Sequence, residues 1–248
     1  MKKQIFYCEG ISKNYEGSPV IEDIGIELHE GGFISLLGPS GVGKTTLFNI
    51  LAGVDMPDKG KVFLHGNDIT GISGKASYML QKDLLLEYRT VLDNVILPLL
   101  IRGEQKQAAR RQAAELFPQF GLAGYEKKYP GQLSGGMRQR AALLRTCMTH
   151  NKVMLLDEPF SSLDAITRRQ MHYWYGEIAK SMELSTLLIT HDVEEALTLS
   201  DTVYIMSGKP GKITGKIEVL PGLPRDHGFS VSTEFAEQKQ LILNAIGL

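Results

Sequence analysis

A chain of 248 residues, 43% hydrophobic and 22% charged, is long enough to bury a sizeable core in one or two domains. Lys and Arg number 27 against 28 Asp and Glu, and a formal net charge of −1 supplies no overall pull towards nucleic acid or an anionic membrane. The two cysteines, Cys8 and Cys147, stand in no metal-ligand or disulfide-framework spacing and read as reduced, partly buried thiols.

At the N-terminus MKKQIFYCEG has two lysines, but Glu9 interrupts any signal-like apolar run. IFYCEGISKNY (5–15), IEDIGIEL (21–28) and FISLLG (33–38) are short, rich in β-branched and aromatic residues and punctuated by Gly and Pro, which predicts strands. FISLL is almost wholly apolar, as suits a strand buried on both faces. TTLFNILAG (45–53) has helical spacing and stops at Gly53. KVFLHG (61–66) and ASYML (76–80) are further strands.

From Thr90 to Phe120 the pattern turns helical. TVLD (90–93) reads as a capping box, with Thr90 at the cap and Asp93 in the acidic position. VLDNVILPLLI (91–101) is the most apolar stretch, yet it holds Asp93, Asn94 and Pro98 and is too short to span a bilayer. EQKQAARRQAAELF (104–117) has a charged, solvated face and a narrow apolar one. In QLSGGMRQR (132–140) a serine and two glycines precede a helix-forming run, and the bare N–H groups of such a start attract an anion. VMLLD (153–157) is an apolar strand, and strand and helix alternate again through 185–206. That alternation predicts a mainly parallel sheet covered by helices, with 85–150 inserted as a helical block. KITGKIEVL (212–220) adds a strand, and a Pro-rich loop and an amphipathic helix, EFAEQKQLILNAIG (234–247), follow.

GPSGVGKT (38–45) matches G-x-x-x-x-G-K-[ST] between a buried strand and a helix. Gly38, Gly41 and Gly43 let the backbone wrap a triphosphate with its N–H groups inward. Lys44 reaches the β- and γ-phosphates, and the Thr45 hydroxyl ligates Mg²⁺. The whole stretch Gly38, Pro39, Ser40, Gly41, Val42, Gly43, Lys44, Thr45 and Thr46 is thus the expected ATP-binding segment. VMLLDEP (153–159) sets Asp157 and Glu158 at the C-terminal end of a strand, where open α/β sheets place ligands. Asp157 is expected to hold the metal through water, and Glu158 to act as general base on an attacking water.

GPSGVGKT, QKD (81–83), LSGGMRQR (133–140), VMLLDEP, SSLD (161–164) and THD (190–192), in this order, resemble the ATP-binding subunit of ABC transporters over nearly the whole chain. The resemblance implies a P-loop NTPase of RecA-like α/β fold. Its mainly parallel sheet core carries an antiparallel β subdomain and an inserted α-helical subdomain, in one ABC ATPase domain spanning 1–248. Within it, 1–84 and 151–220 form the core, 85–150 the helical subdomain and 221–248 a C-terminal loop and helix. It further implies that Tyr15 stacks on adenine, that Gln81 touches Mg²⁺ and the water, and that His191 contacts the γ-phosphate. Asp164 would lie at a subunit interface. Ser134, Gly135 and Gly136 would meet the γ-phosphate held by the other subunit, in a head-to-tail homodimer with two ATP molecules between the chains.

QKDLLLEYRTVLDNVILPL (81–99), Met137 and KPGKITGKIEV (209–219) are similar to importers for nitrate, sulfonates, taurine and thiamine precursors. Glu87-Tyr88 and TCMTHNK (146–152) depart from that pattern. Some of Leu84, Leu85 and Leu86 are expected to touch the permease, and burial in the helical block is the alternative. The residues after 206 are too few for the extra β-domain of sugar and molybdate importers, so no regulatory domain is expected. The implied partners are an integral-membrane permease and, indirectly, an extracytoplasmic solute-binding protein, with no nucleic acid. The implied place is the cytoplasmic face of the cell membrane, bound peripherally. The rival readings are an exporter or lipoprotein-release ATPase, or a soluble ABC ATPase outside transport; a simple P-loop kinase or GTPase lacks LSGG and the histidine.

Overall fold

The computed structural model describes residues 3–219 and 229–246. In chain order the elements are β1 (Gln4–Tyr15), β2 (Ser18–His29), β3 (Phe33–Leu37), α1 (Lys44–Leu51), β4 (Lys59–Leu64), β5 (Asn67–Asp68), β6 (Ser77–Met79), α2 (Val91–Val95), α3 (Leu97–Ile101) and α4 (Lys106–Leu116). There follow α5 (Gly135–Cys147), β7 (Val153–Asp157), α6 (Ala165–Ser181), β8 (Ser185–Thr190), α7 (Val193–Leu199), β9 (Thr202–Ser207), β10 (Lys212–Glu218) and α8 (Thr233–Ala245). The loop expected between the last strand and the last helix lies outside the described residues.

The chain divides into two compact units. One comprises Met1–Ala76, Lys152–Glu158 and His172–Leu248; the other comprises Ser77–Asn151 and Pro159–Met171. The first unit holds an antiparallel sheet of order β2-β1-β4-β5 and a second sheet in which β10, β9, β3, β8 and β7 are successive neighbours. β3 runs parallel to both β8 and β9, and β7 parallel to β8, whereas β10 joins β9 antiparallel at the end. Every residue of FISLL, VMLLD and STLLIT is buried, as strands covered on both faces require. KITGKIE alternates exposed and half-buried, as an edge strand does. α7 and α8 close this end around Leu37, Ala196, Leu197, Val203, Phe229, Phe235 and Ile242.

In the second unit the apolar stretch 91–101 breaks into two short helices, with Pro98 in the first turn of α3, where its missing N–H costs nothing. Thr90 caps α2 by accepting the Asp93 N–H at 3.2 Å, and the Asp93 carboxylate also takes Arg110 of α4 at 2.8 Å. On α4 the narrow apolar face is Ala109 and Ala113, continued by Phe117, all fully buried. Asn94 is buried, and its amide donates to the carbonyls of Leu86, Arg89 and Thr90 while its oxygen accepts the Leu86 N–H at 2.7 Å. One polar side chain thereby satisfies the turn that carries residues 84–90 into the helices. Cys8 and Cys147 are both buried free thiols rather than partly buried, and burial pushes each up to about 12.

Candidate active site

In the first unit β3 runs into the loop 38–43, which turns into α1. A Cβ on Gly38 would lie 2.3 Å from the carbonyl oxygen of Met206 on β9, so only glycine lets the loop settle this close to the sheet. Gly43 caps α1 with φ 105°, and a Cβ there would stand 2.5 Å from Ile21 Cγ2. No side chain caps this helix start and no acidic residue occupies its first turn. The first-turn N–H groups and the positive end of the helix dipole are left to an anion.

Lys44 is buried, and its ammonium donates to the carbonyls of Gly38 and Pro39 at 2.7 and 2.9 Å. Burial pulls its pKa below the ordinary lysine value, opposed by the nearby charges of Glu158 and Asp157. Pro39, Ser40 and Gly41 form the exposed lip, whereas Val42 is anchored in the core. Thr45 Oγ1 donates to Oδ2 of the buried Asp157 at 3.0 Å, joining the cradle to the end of β7. Tyr15 is 43% exposed, which removes the alternative of a plain core tyrosine. Its hydroxyl is tied to Asp55 and Thr46, and Lys13 Nζ lies 5.1 Å from its ring centroid.

Glu158 follows β7 with φ 44°, a left-handed conformation uncommon for a non-glycine residue. Its N–H still reaches Ile189 O on β8 at 3.1 Å. The turn brings its carboxylate to His191: Oε2 lies 3.2 Å from Nδ1. Such strain costs about 1–3 kcal/mol and persists where the surrounding structure holds it. The histidine side chain is 53% exposed and the carboxylate 14%, so one partner faces solvent and the other is sheltered.

The second unit carries the remaining expected residues. Ser134 caps α5, its Oγ accepting the Met137 N–H at 3.4 Å, and Ser134 and Gly135 are exposed. A Cβ on Gly136 would come within 3.1 Å of the Thr167 methyl, which would have to give way by a few tenths of an ångström. Asp164 caps the turn into α6, accepting the N–H groups of Ile166 and Thr167 at 3.1 and 3.0 Å, and the Thr167 side chain together with these bonds holds its carboxyl below the usual range. Gln81 is exposed and lines a cavity together with Asp83, Leu84, Arg138 and Ser161.

Sequence reasoning did not anticipate what holds the segment after Gln81. Arg138 forks onto both carboxylate oxygens of Asp83 at 2.9 and 3.1 Å and reaches Glu87 at 2.8 Å. Arg145 donates to the carbonyls of Asp83 and Leu84. The three leucines separate here: Leu84 is 51% exposed, whereas Leu85 is 5% exposed and belongs to the core. Leu85 is therefore corrected from a candidate contact to a packing residue. Leu85→Asp is expected to lower stability by about 3 kcal/mol or more, read as a fall in melting temperature. Leu84→Asp should change it by less than about 0.5 kcal/mol, because the position is open and Asp tolerates its φ of 47° better than Leu does.

A wrapped loop on a buried lysine, closing onto a strand that ends in one carboxylate and is followed by another, makes this an α/β P-loop NTPase fold. The chain belongs to the ABC transporter family, whose sequence model matches residues 21–161. It is 42% identical to the formylaminopyrimidine import ATP-binding protein of Halalkalibacterium halodurans over 97% of this chain and 93% of that one. It is 41% identical to an aliphatic sulfonates import ATP-binding protein of Rhodococcus jostii over 96% and 91% of the two chains. Among solved structures it resembles a bacterial ABC transporter cassette solved as a dimer, with a TM-score of 0.76 and 24% identity over 87% of this chain and 99% of that one. As a member of this family the chain is an ATPase.

Proposed function

We propose that two copies of this chain form the ATP-hydrolysing engine of an importer in the nitrate, sulfonate, taurine and thiamine-precursor group. Each copy docks under an integral-membrane permease fed by an extracytoplasmic solute-binding protein. Relatives named for import of a thiamine precursor, sulfonates and taurine align over nearly the full chain, which supports this reading. Among the described residues no helix is long and apolar enough to cross a membrane, in keeping with a subunit held peripherally at the cytoplasmic face. The exposed Leu84 and Tyr88 (75% exposed) offer the apolar contact for a permease.

The observation that carries the chemistry is Glu158 against His191, beside a loop whose lysine and helix start await phosphate. The N–H groups of Gly38 and of residues 40–46, together with Lys44, hold the β- and γ-phosphates, and Tyr15 stacks on adenine. The donor set of the Thr45 hydroxyl and the Asp157 carboxylate, 3.0 Å apart, is all oxygen and suits Mg²⁺. Thr45, Asp157 through water and Gln81 are the residues that would hold it, and it supplies charge neutralisation on the phosphates. Glu158 takes a proton from the attacking water, and His191 contacts the γ-phosphate. Ser134, Gly135 and Gly136 of the second copy close on that phosphate, so the dimer is clasped while the γ-phosphate remains and loosens once it leaves.

The test is reconstitution in proteoliposomes with a candidate partner permease and its binding protein. ATP should drive solute into the binding-protein side's opposite compartment, with ATP turnover stimulated by the loaded binding protein. Solute moving outward instead, or turnover indifferent to the binding protein, would favour the exporter reading.

A further inference from the structure

We propose that Glu195 is the positioning residue for the switch histidine, acting through Thr190. The inference rests on His191 taking part in hydrolysis as proposed above.

His191 stands on a short turn between β8 and α7 with its side chain half in solvent. Something other than packing must hold it against Glu158. Glu195, in the first turn of α7, is buried. One of its carboxylate oxygens accepts the Thr190 hydroxyl, the last residue of β8. That hydroxyl has a single proton, which goes to Glu195, and it accepts the Asp192 N–H at 2.9 Å. The residues on either side of His191 are thereby stapled to one another and to the carboxylate. The other oxygen of Glu195 lies 3.2 Å from Nε2 of His172, a buried side chain of α6. Asp192 completes the turn by accepting the N–H groups of Glu194 and Glu195 at 2.8 and 3.2 Å. The bonds Glu195–Thr190–Asp192, with His172 beside the carboxylate, thus set the backbone that presents His191, and none of these bonds runs through the phosphate loop or Lys44. Its loss moves the reacting geometry and leaves nucleotide binding alone, since a displacement of about 1 Å at such a group costs on the order of 10²-fold in rate.

The experiment measures steady-state ATP turnover, and affinity for methylanthraniloyl-ATP, on the full purified chain. Glu195→Ala and Thr190→Val are expected to lower kcat about 10- to 100-fold while the analogue's Kd stays within about twofold. Thr190→Ser, which keeps the hydroxyl, should recover most of the loss. In a His191→Ala background neither change should add further loss, because the group being positioned is gone. Should Glu195→Ala fail to fold, the near-isosteric Thr190→Val carries the test by itself. A folded Thr190→Val at wild-type kcat overturns the proposal, as do losses that multiply with His191→Ala or a parallel fall in affinity. Wild-type turnover in His191→Ala alone would instead sink the role given to the histidine.

Discussion

Glu158→Gln is expected to slow ATP hydrolysis by a factor on the order of 10²–10⁴ while leaving ATP affinity nearly intact. Glutamine has the same reach and accepts the same φ of 44°, so the substitution removes a proton acceptor and leaves the turn at the end of β7 in place. Lys44, Thr45 and the bare start of α1 are untouched, which is why binding survives. With the γ-phosphate no longer removed, the clasped state cannot release, and ATP should shift the chain to a dimer on a sizing column. The measurements are steady-state turnover, nucleotide titration and elution volume with ATP. Turnover equal to the wild type would take the general base away from Glu158 and leave His191 or an unassisted water in its place.

Ser134→Arg should abolish turnover and ATP-dependent dimerisation while each chain still binds one ATP. Ser134 caps α5 through a 3.4 Å bond and its surroundings are open, so the local cost of losing the cap is about 1 kcal/mol. The larger effect is a long side chain in the place where a partner's phosphate is to be met. Mixing Ser134→Arg with Lys44→Ala separates trans from cis. A mixed dimer has one composite site with an intact lysine loop from one chain and an intact serine from the other, and random pairing puts about a quarter of all sites in that state. Activity should therefore return from two inactive parents. A mixture as inactive as either parent, or loss of ATP binding in Ser134→Arg alone, would mean that the serine serves its own chain.

The cradle was legible because its chemistry is contiguous: strand, glycines, lysine and threonine lie within 38–46, and local stereochemistry alone decides what such a run can do. The same holds for the caps at Thr90 and Ser134, each satisfied three residues on. What spacing does not encode was missed. Thr190 and Glu195 are five residues apart, but their meeting with His172 comes from the packing of α6 in the first unit. The anchoring of Tyr15 by Asp55 joins residues 40 apart in sequence. Leu84–Leu86 read both ways because a run of three apolar residues suits a core or a contact equally. The left-handed φ at Leu84 is what turns one outward and leaves Leu85 inside. Glu158 shows the converse: its neighbour Asp157 ends a regular strand, and no pattern in VMLLDEP announces that the next residue leaves it with positive φ.

Arg138 and Arg145 grip residues 83–87 from the helix that Ser134 begins. They are rooted seven residues apart, about 10 Å along the axis, and both reach Asp83. Two roots that meet on one residue brace the loop against the helix from both ends of its grip. A shove delivered on the outward Leu84 or Tyr88 would then arrive at the serine end as a tilt, the way a crank handle turns its shaft.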